Sequence, residues 1–105
     1  MKKEVNALQI IKETITNIIS GSKIILFGSR VKNIDDINSD YDLLIIVSEE
    51  IEIQKKFHYK ALLRKIFVKS GIRSDIFIES EKEVKVKKRL PGHIVKTAIN
   101  EGILL

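Results

Sequence analysis

Cysteine is absent from the 105 residues, so disulfide bridges and thiolate-bound metal sites are excluded and a reducing compartment is permitted. Long hydrophobic runs are missing as well. The longest, residues 24–27 and 43–47, fall far short of the ~20 apolar residues that a membrane-spanning helix needs. The chain opens Met-Lys-Lys-Glu and continues amphipathically, without the apolar core of a signal peptide. No repeat and no low-complexity linker divides it. Histidine occurs only as His58 and His93, with no second imidazole or carboxylate placed to complete a zinc site, so both read as surface or structural residues. These absences leave one domain over residues 1–105, cytoplasmic and away from membranes, as the expectation.

What is present is ordinary for a globular protein: 44% apolar and 31% charged residues. A domain this small has a thin core and little material for an elaborate substrate cavity. The net charge of +5 is uneven. Residues 1–52 carry six Lys/Arg against nine Asp/Glu, and residues 53–105 carry thirteen against five. The basic half suits phosphate, nucleic acid or an acidic partner, although lysine is also a common solubilising residue on helix surfaces. Charge alone does not decide the function.

Residues 3–20 place Val5, Leu8, Ile11, Ile15, Ile18 and Ile19 at helical spacing. Lys23–Phe27 is a β-branched run that reads as a buried strand, and Tyr41–Val47 is almost continuously apolar, as a strand covered on both faces should be. Ser48 with Glu49 and Glu50 resembles a helix start. A helix is expected over 51–69, with Phe57, Ala61, Leu62, Ile66 and Phe67 inward. Tyr59, with Phe57 and Phe67, reads as core or interface. Residues around Asp75–Ile78 are strand-like, and 81–89 is compatible with a strand edge, a helix or a loop. Pro91-Gly92 precedes a helix over 93–101 with Ile94, Val95, Ala98 and Ile99 inward, and a short strand at 103–105. The order points to an α/β (α+β) fold, a small mixed β-sheet with helices packed on it.

Two features carry chemistry. Gly28-Ser29 follows directly on a strand, and Asp40-Tyr41-Asp42 opens the next. In a strand, residues i and i+2 share a face, so Asp40 and Asp42 project together and repel unless a cation intervenes. A hard, oxygen-rich pair of this kind suits Mg²⁺, which takes one or two carboxylates and completes its shell with water and phosphates. Gly28 lets the backbone approach a phosphate, Ser29 can cap a following helix whose N–H groups favour an anion, and Arg30 can add a charged contact or point to solvent. Asp75, at the start of a later strand, is the third candidate, as a further metal ligand or as general base on an attacking hydroxyl.

The string Gly28-Ser29-Arg30 … Ser39-Asp40-Tyr41-Asp42-Leu43, with Ser74-Asp75-Ile76 and the closing Ile94 … Leu104, resembles the minimal nucleotidyltransferase (MNT) branch of the DNA polymerase β superfamily. The likeness covers nearly the whole chain. Chance would give Gly, Ser and two Asp at this spacing in about one chain per thousand. One departure is Asn33, where family members often have a second Gly; Asn tolerates left-handed torsions better than most residues. The resemblance implies a polymerase β-like nucleotidyltransferase fold. It also implies that Gly28, Ser29 and Arg30 hold a nucleoside triphosphate, and that Asp40, Asp42 and Asp75 form the metal-binding catalytic trio.

Larger relatives append domains that bind the acceptor, for which this length leaves no room, so the acceptor is expected on a second chain or a homo-oligomer. The resemblance then implies an Mg²⁺-dependent antitoxin that moves AMP from ATP to a tyrosine on a HEPN-domain partner. Two alternatives stand beside it. One is a non-catalytic antitoxin or adaptor that neutralises by binding alone, and the other a nucleotidyltransferase acting on a small molecule or nucleic acid. A nucleic-acid binder using Lys85, Lys87, Lys88 and Arg89 is a separate class, marked by steep salt dependence.

Overall fold

The computed structural model describes residues 2–32 and 39–105, with side chains from Asn6 onward within them. Asn33, Asp35 and Asp36 lie outside the described residues. Helix α1 (Lys2–Ile18) leads to strand β1 (Lys23–Phe27), a single helical turn α2 (Ser29–Lys32) and strand β2 (Tyr41–Val47). Helix α3 (Ile53–Lys69), strand β3 (Ser74–Ser80), helices α4 (Glu81–Lys87) and α5 (Ile94–Glu101), and the two-residue strand β4 (Ile103–Leu104) complete the chain. Among the described residues no helix is long and apolar enough to cross a membrane.

The strands form one mixed sheet in the order β3-β2-β1-β4. β2 and β3 run parallel, which requires a long crossover, and α3 supplies it. β1 pairs antiparallel with both β2 and β4. β2 lies inside the sheet with helices on both faces, so its apolar run is unbroken for the reason expected. Tyr41, Leu43, Ile45 and Val47 face one core together with Ile11, Ile15, Leu63 and Phe67. Leu44 and Ile46 face a second, smaller core with Phe27, Val84, Val95 and Ala98. This alternation decides which face carries the odd-numbered Asp75 of β3 and the even-numbered Asp42 of β2.

The open segment 81–89 resolves as helix over Glu81–Lys87, followed by a turn. Ser80 is its N-cap, accepting from the Glu83 N–H at 3.0 Å while the Glu83 carboxylate accepts from the Ser80 N–H at 2.8 Å. That reciprocal capping box turns the chain directly from strand to helix. Glu83 also accepts from Lys56 of α3 at 2.9 Å, and Glu79 accepts from Lys87 at 2.6 Å. Its capping bonds and Lys56 hold the Glu83 carboxyl below the usual range, although burial opposes them. Lys87, expected to serve an outward basic patch, is thus tied to Glu79, while Lys85, Lys88 and Arg89 are exposed.

Three expectations are corrected. Ser48-Glu49-Glu50 does not start a helix; the chain bends there, and α3 begins at Ile53 with Glu52 as an N-cap that makes no side-chain bond. The buried stripe of α3 is Leu63 and Phe67, flanked by half-buried Tyr59 and Ile66, whereas Phe57, Ala61 and Leu62 are exposed. Apolar residues occur around much of this helix, so periodicity admits more than one stripe, and the fit against the sheet selects one. In α5 only Val95 and Ala98 are buried, while Ile94 and Ile99 reach the surface. His93 accepts from the Val95 N–H through Nδ1 at 3.1 Å, and His58 is exposed, as their structural reading requires.

Phe67 is fully buried and Phe57 is 59% exposed, so truncation separates the two stripes. Phe67→Ala should cost about 3–5 kcal/mol in urea denaturation. Phe57→Ala should cost roughly 0.5 kcal/mol or less. Equal costs would contradict the seating of α3.

Candidate active site

The site lies where β1 ends and β2 and β3 begin. Phe27 pairs with Asp42 across the antiparallel ladder, and Asp42 pairs with Asp75 across the parallel one. Neighbouring strands lie about 4.8 Å apart, so Asp42 and Asp75 stand side by side on one sheet face without any contribution from loop geometry. Asp75, expected at the start of a later strand, thus lies directly beside Asp42. Asp40 lies just before the strand and is exposed.

Gly28 turns the chain out of β1 with φ 77°, a left-handed torsion that favours glycine. A Cβ there would collide with Asp42 Oδ2 and stand 3.1 Å from its Cγ. The missing side chain is what lets the turn and the carboxylate share this place. The Gly28 carbonyl accepts from the N–H groups of Val31 and Lys32 at 3.1 and 3.3 Å, which closes the turn of α2. Gly28, not Ser29, is thus the residue that caps this turn, and Ser29 is its first helical residue with an exposed side chain. Helix starts leave their first N–H groups outside the helical ladder, and here that start adjoins the carboxylates.

Arg30 does not point to solvent. It is 8% exposed, its Nε donates to the Ser39 carbonyl at 3.0 Å, and its guanidinium lies 4.2 Å from the centre of the Tyr41 ring. These contacts grip the chain on either side of Asp40, so the arginine ties the Gly28 turn to the acidic segment. Stacking of a desolvated guanidinium on a phenol ring is worth about 0.5–2 kcal/mol.

Two further arginines enter that belong to no sequence motif. Arg73 Nε stands 3.4 Å from Asp40 Oδ1, and Arg64 Nη2 stands 3.4 Å from Asp75 Oδ1. Asp40 and Asp42 have no basic neighbour in sequence, but the fold supplies one to Asp40. Asp42 has no ion-pair partner among the described residues. Burial first, then the charges of Asp75 and Asp40, push its carboxyl above the usual aspartate range. A signal for Arg73 was present, since it lies two residues before Asp75. Nothing local marks Arg64, which depends on the α3 crossover.

Among the described residues no three carboxylates or imidazoles are gathered closely enough to hold a metal ion. The convergence expected of Asp40, Asp42 and Asp75 is therefore not realised in the side chains as they stand. Their backbone positions and chemistry still fit a hard divalent cation. Three carboxylates share one end of the sheet, and burial first, then its two acidic neighbours, disfavour the ionised form of Asp42, which a cation would relieve.

Residues 9–105 match the family model described as polymerase beta, nucleotidyltransferase. No curated protein and no solved structure matches the chain.

Two outcomes follow from Gly28 and Asp42. Gly28→Ala should cost about 1–2 kcal/mol for the left-handed backbone alone. It should cost measurably more in wild-type protein than in an Asp42→Ala background, because only the former contains the collision; equal costs in urea denaturation would contradict the contact. Because its folded pKa is raised, Asp42 opposes folding above that pKa, and the opposition shrinks as pH falls below it and is gone only below the ordinary value of 3.8. In EDTA, Asp42→Asn should therefore melt above wild type at pH 7, with the gap closing on acidification below the raised value. A gap that widened on acidification would contradict the assignment.

Proposed function

This chain belongs to the polymerase beta nucleotidyltransferase family, and we propose that it transfers AMP from ATP to a hydroxyl on a partner protein, as the antitoxin of a HEPN–MNT pair. The observation that carries the transferase part is the Gly28 turn laid against Asp42, which is itself paired with Asp75. A phosphate-approaching backbone and adjoining carboxylates are what nucleotidyl transfer requires.

In this reading the backbone at Gly28 and Ser29, with the Ser29 hydroxyl, receives the β- and γ-phosphates. Arg30 positions the acidic segment through Ser39 and Tyr41. Asp40, Asp42 and Asp75 would hold Mg²⁺, which supplies charge neutralisation to the triphosphate when bound. The acceptor oxygen forms a bond to the α-phosphorus as the bond from that phosphorus to the bridging oxygen breaks. Pyrophosphate leaves with the bonding pair, and the hydroxyl proton passes to a base, for which Asp75 is the candidate.

The protein acceptor is supported by the likeness of Gly28-Ser29-Arg30 and Ser39-Asp40-Tyr41-Asp42-Leu43 to the minimal branch. The family domain also takes up residues 9–105, so none of these residues forms a separate acceptor-holding unit. One observation favours a second reading, in which the protein neutralises its partner by binding alone: Asp40 and Asp75 are engaged by arginines and are not gathered on one point.

Incubation with Mg²⁺, labelled ATP and the cognate HEPN protein should label the partner. Asp40→Asn with Asp42→Asn should lower that labelling at least about a hundredfold, the scale of losing one transition-state contact. Intact binding without labelling would reject the transferase reading, and neutralisation that survives the double change would favour binding alone.

A further inference from the structure

The α3–β3 connection delivers both arginines of the acidic site. Arg64 comes from the later part of α3, and Arg73 from the segment just before Ser74. The Arg73 backbone is clamped in place, its carbonyl accepting from the Tyr41 N–H at 2.9 Å. The same residue therefore holds the entry to β2 twice, through its carbonyl at Tyr41 and through its guanidinium at Asp40 just before the strand. Arg64 makes the matching contact to Asp75 at the same 3.4 Å separation. Asp42, beside the other two, is the carboxylate without an ion-pair partner among the described residues.

We propose that Arg64 and Arg73 are resident counter-ions of this site, holding Asp75 and Asp40 aside until a divalent cation takes those carboxylates from them. The inference rests on the metal-and-nucleotide reading above and adds two residues to it. Without the guanidiniums, the trio would concentrate like charge at the sheet end and lower stability. With them, a cation must displace two ion pairs before it gains Asp40 and Asp75. Both pairs are half-exposed, so each is a weak, screened competitor and not a lock. A guanidinium freed in this way stays beside the carboxylates and is chemically suited to phosphate oxygens. Arg64 and Arg73 are therefore positioning residues, acting through the carboxylates they touch.

The test is direct titration of the whole chain with Mn²⁺ at low salt, without nucleotide, reading free Mn²⁺ by its electron paramagnetic resonance signal. Arg64→Gln and Arg73→Gln should each tighten Mn²⁺ binding roughly two- to fivefold, the scale of one exposed ion pair. The double variant should approach the product of the two, because each pair involves a different carboxylate. Arg64→Lys and Arg73→Lys keep the charge and should bind within twofold of wild type. Circular dichroism melts show that each variant is folded, and the Lys variants answer the question should a Gln variant not fold: tightening in the Lys variants too would overturn the counter-ion role. Wild-type binding with unchanged or weaker affinity in the Gln variants would overturn the inference and leave the metal reading standing. Absence of Mn²⁺ binding to wild type and to the double variant at millimolar metal would overturn both together.

Discussion

The close approach of a bare backbone to a carboxylate organises this protein's functional end. Gly28 leaves β1 in a left-handed turn, and the space a side chain would take is filled by Asp42. The approach follows from the ladder, because Phe27 is paired with Asp42 and Gly28 is the next residue. Shifting the β1–β2 register by one residue would turn Asp42 to the opposite face and seat a core residue against the turn. The apolar pattern that holds the register, Ile24 and Leu26 on one face with Phe27 on the other, thus also fixes the chemistry. Core packing and site geometry are one constraint here.

Electrostatics then works against the fold. Asp42 is half-buried with two carboxylates near it and no cation paired to it among the described residues, and its ionised form is disfavoured. A stability-optimised protein would place an amide or an apolar residue there. The surrounding residues limit the cost: Arg73 and Arg64 pair with the outer carboxylates, and Arg30 grips Ser39 and Tyr41 on either side of Asp40. Proteins carry such uncompensated charge where function requires it.

The sheet was legible in the sequence because its signals are local. Lys23–Phe27 and Tyr41–Val47 are β-branched, apolar and bounded by turn-forming residues, and they form the expected strands. Asp75 was legible as the opening of a strand, and the parallel pairing brought it beside Asp42. The burial of α3 was not, because Phe57 and Phe67 look alike at helical spacing and only the sheet surface distinguishes them. The role of Arg30 was hidden for a related reason: its partners, the Ser39 carbonyl and the Tyr41 ring, are nine and eleven residues further along the chain. Arg64 was invisible because its partner is eleven residues away across the α3–β3 turn, and no local pattern records such a pairing. Residue type and spacing reveal which groups are present, whereas pairing between them belongs to the folded chain.

The central claim is that Gly28 and Asp42 together form one site for a nucleoside triphosphate and its metal. A crystal structure with Mg²⁺ and an ATP analogue that cannot be cleaved at the α-phosphorus tests it most directly. The account predicts phosphate oxygens against the backbone of Gly28 and Ser29, with the carboxylates of Asp40, Asp42 and Asp75 drawn onto the metal. Nucleotide bound elsewhere, with Asp40 and Asp75 still held by Arg73 and Arg64, would contradict it.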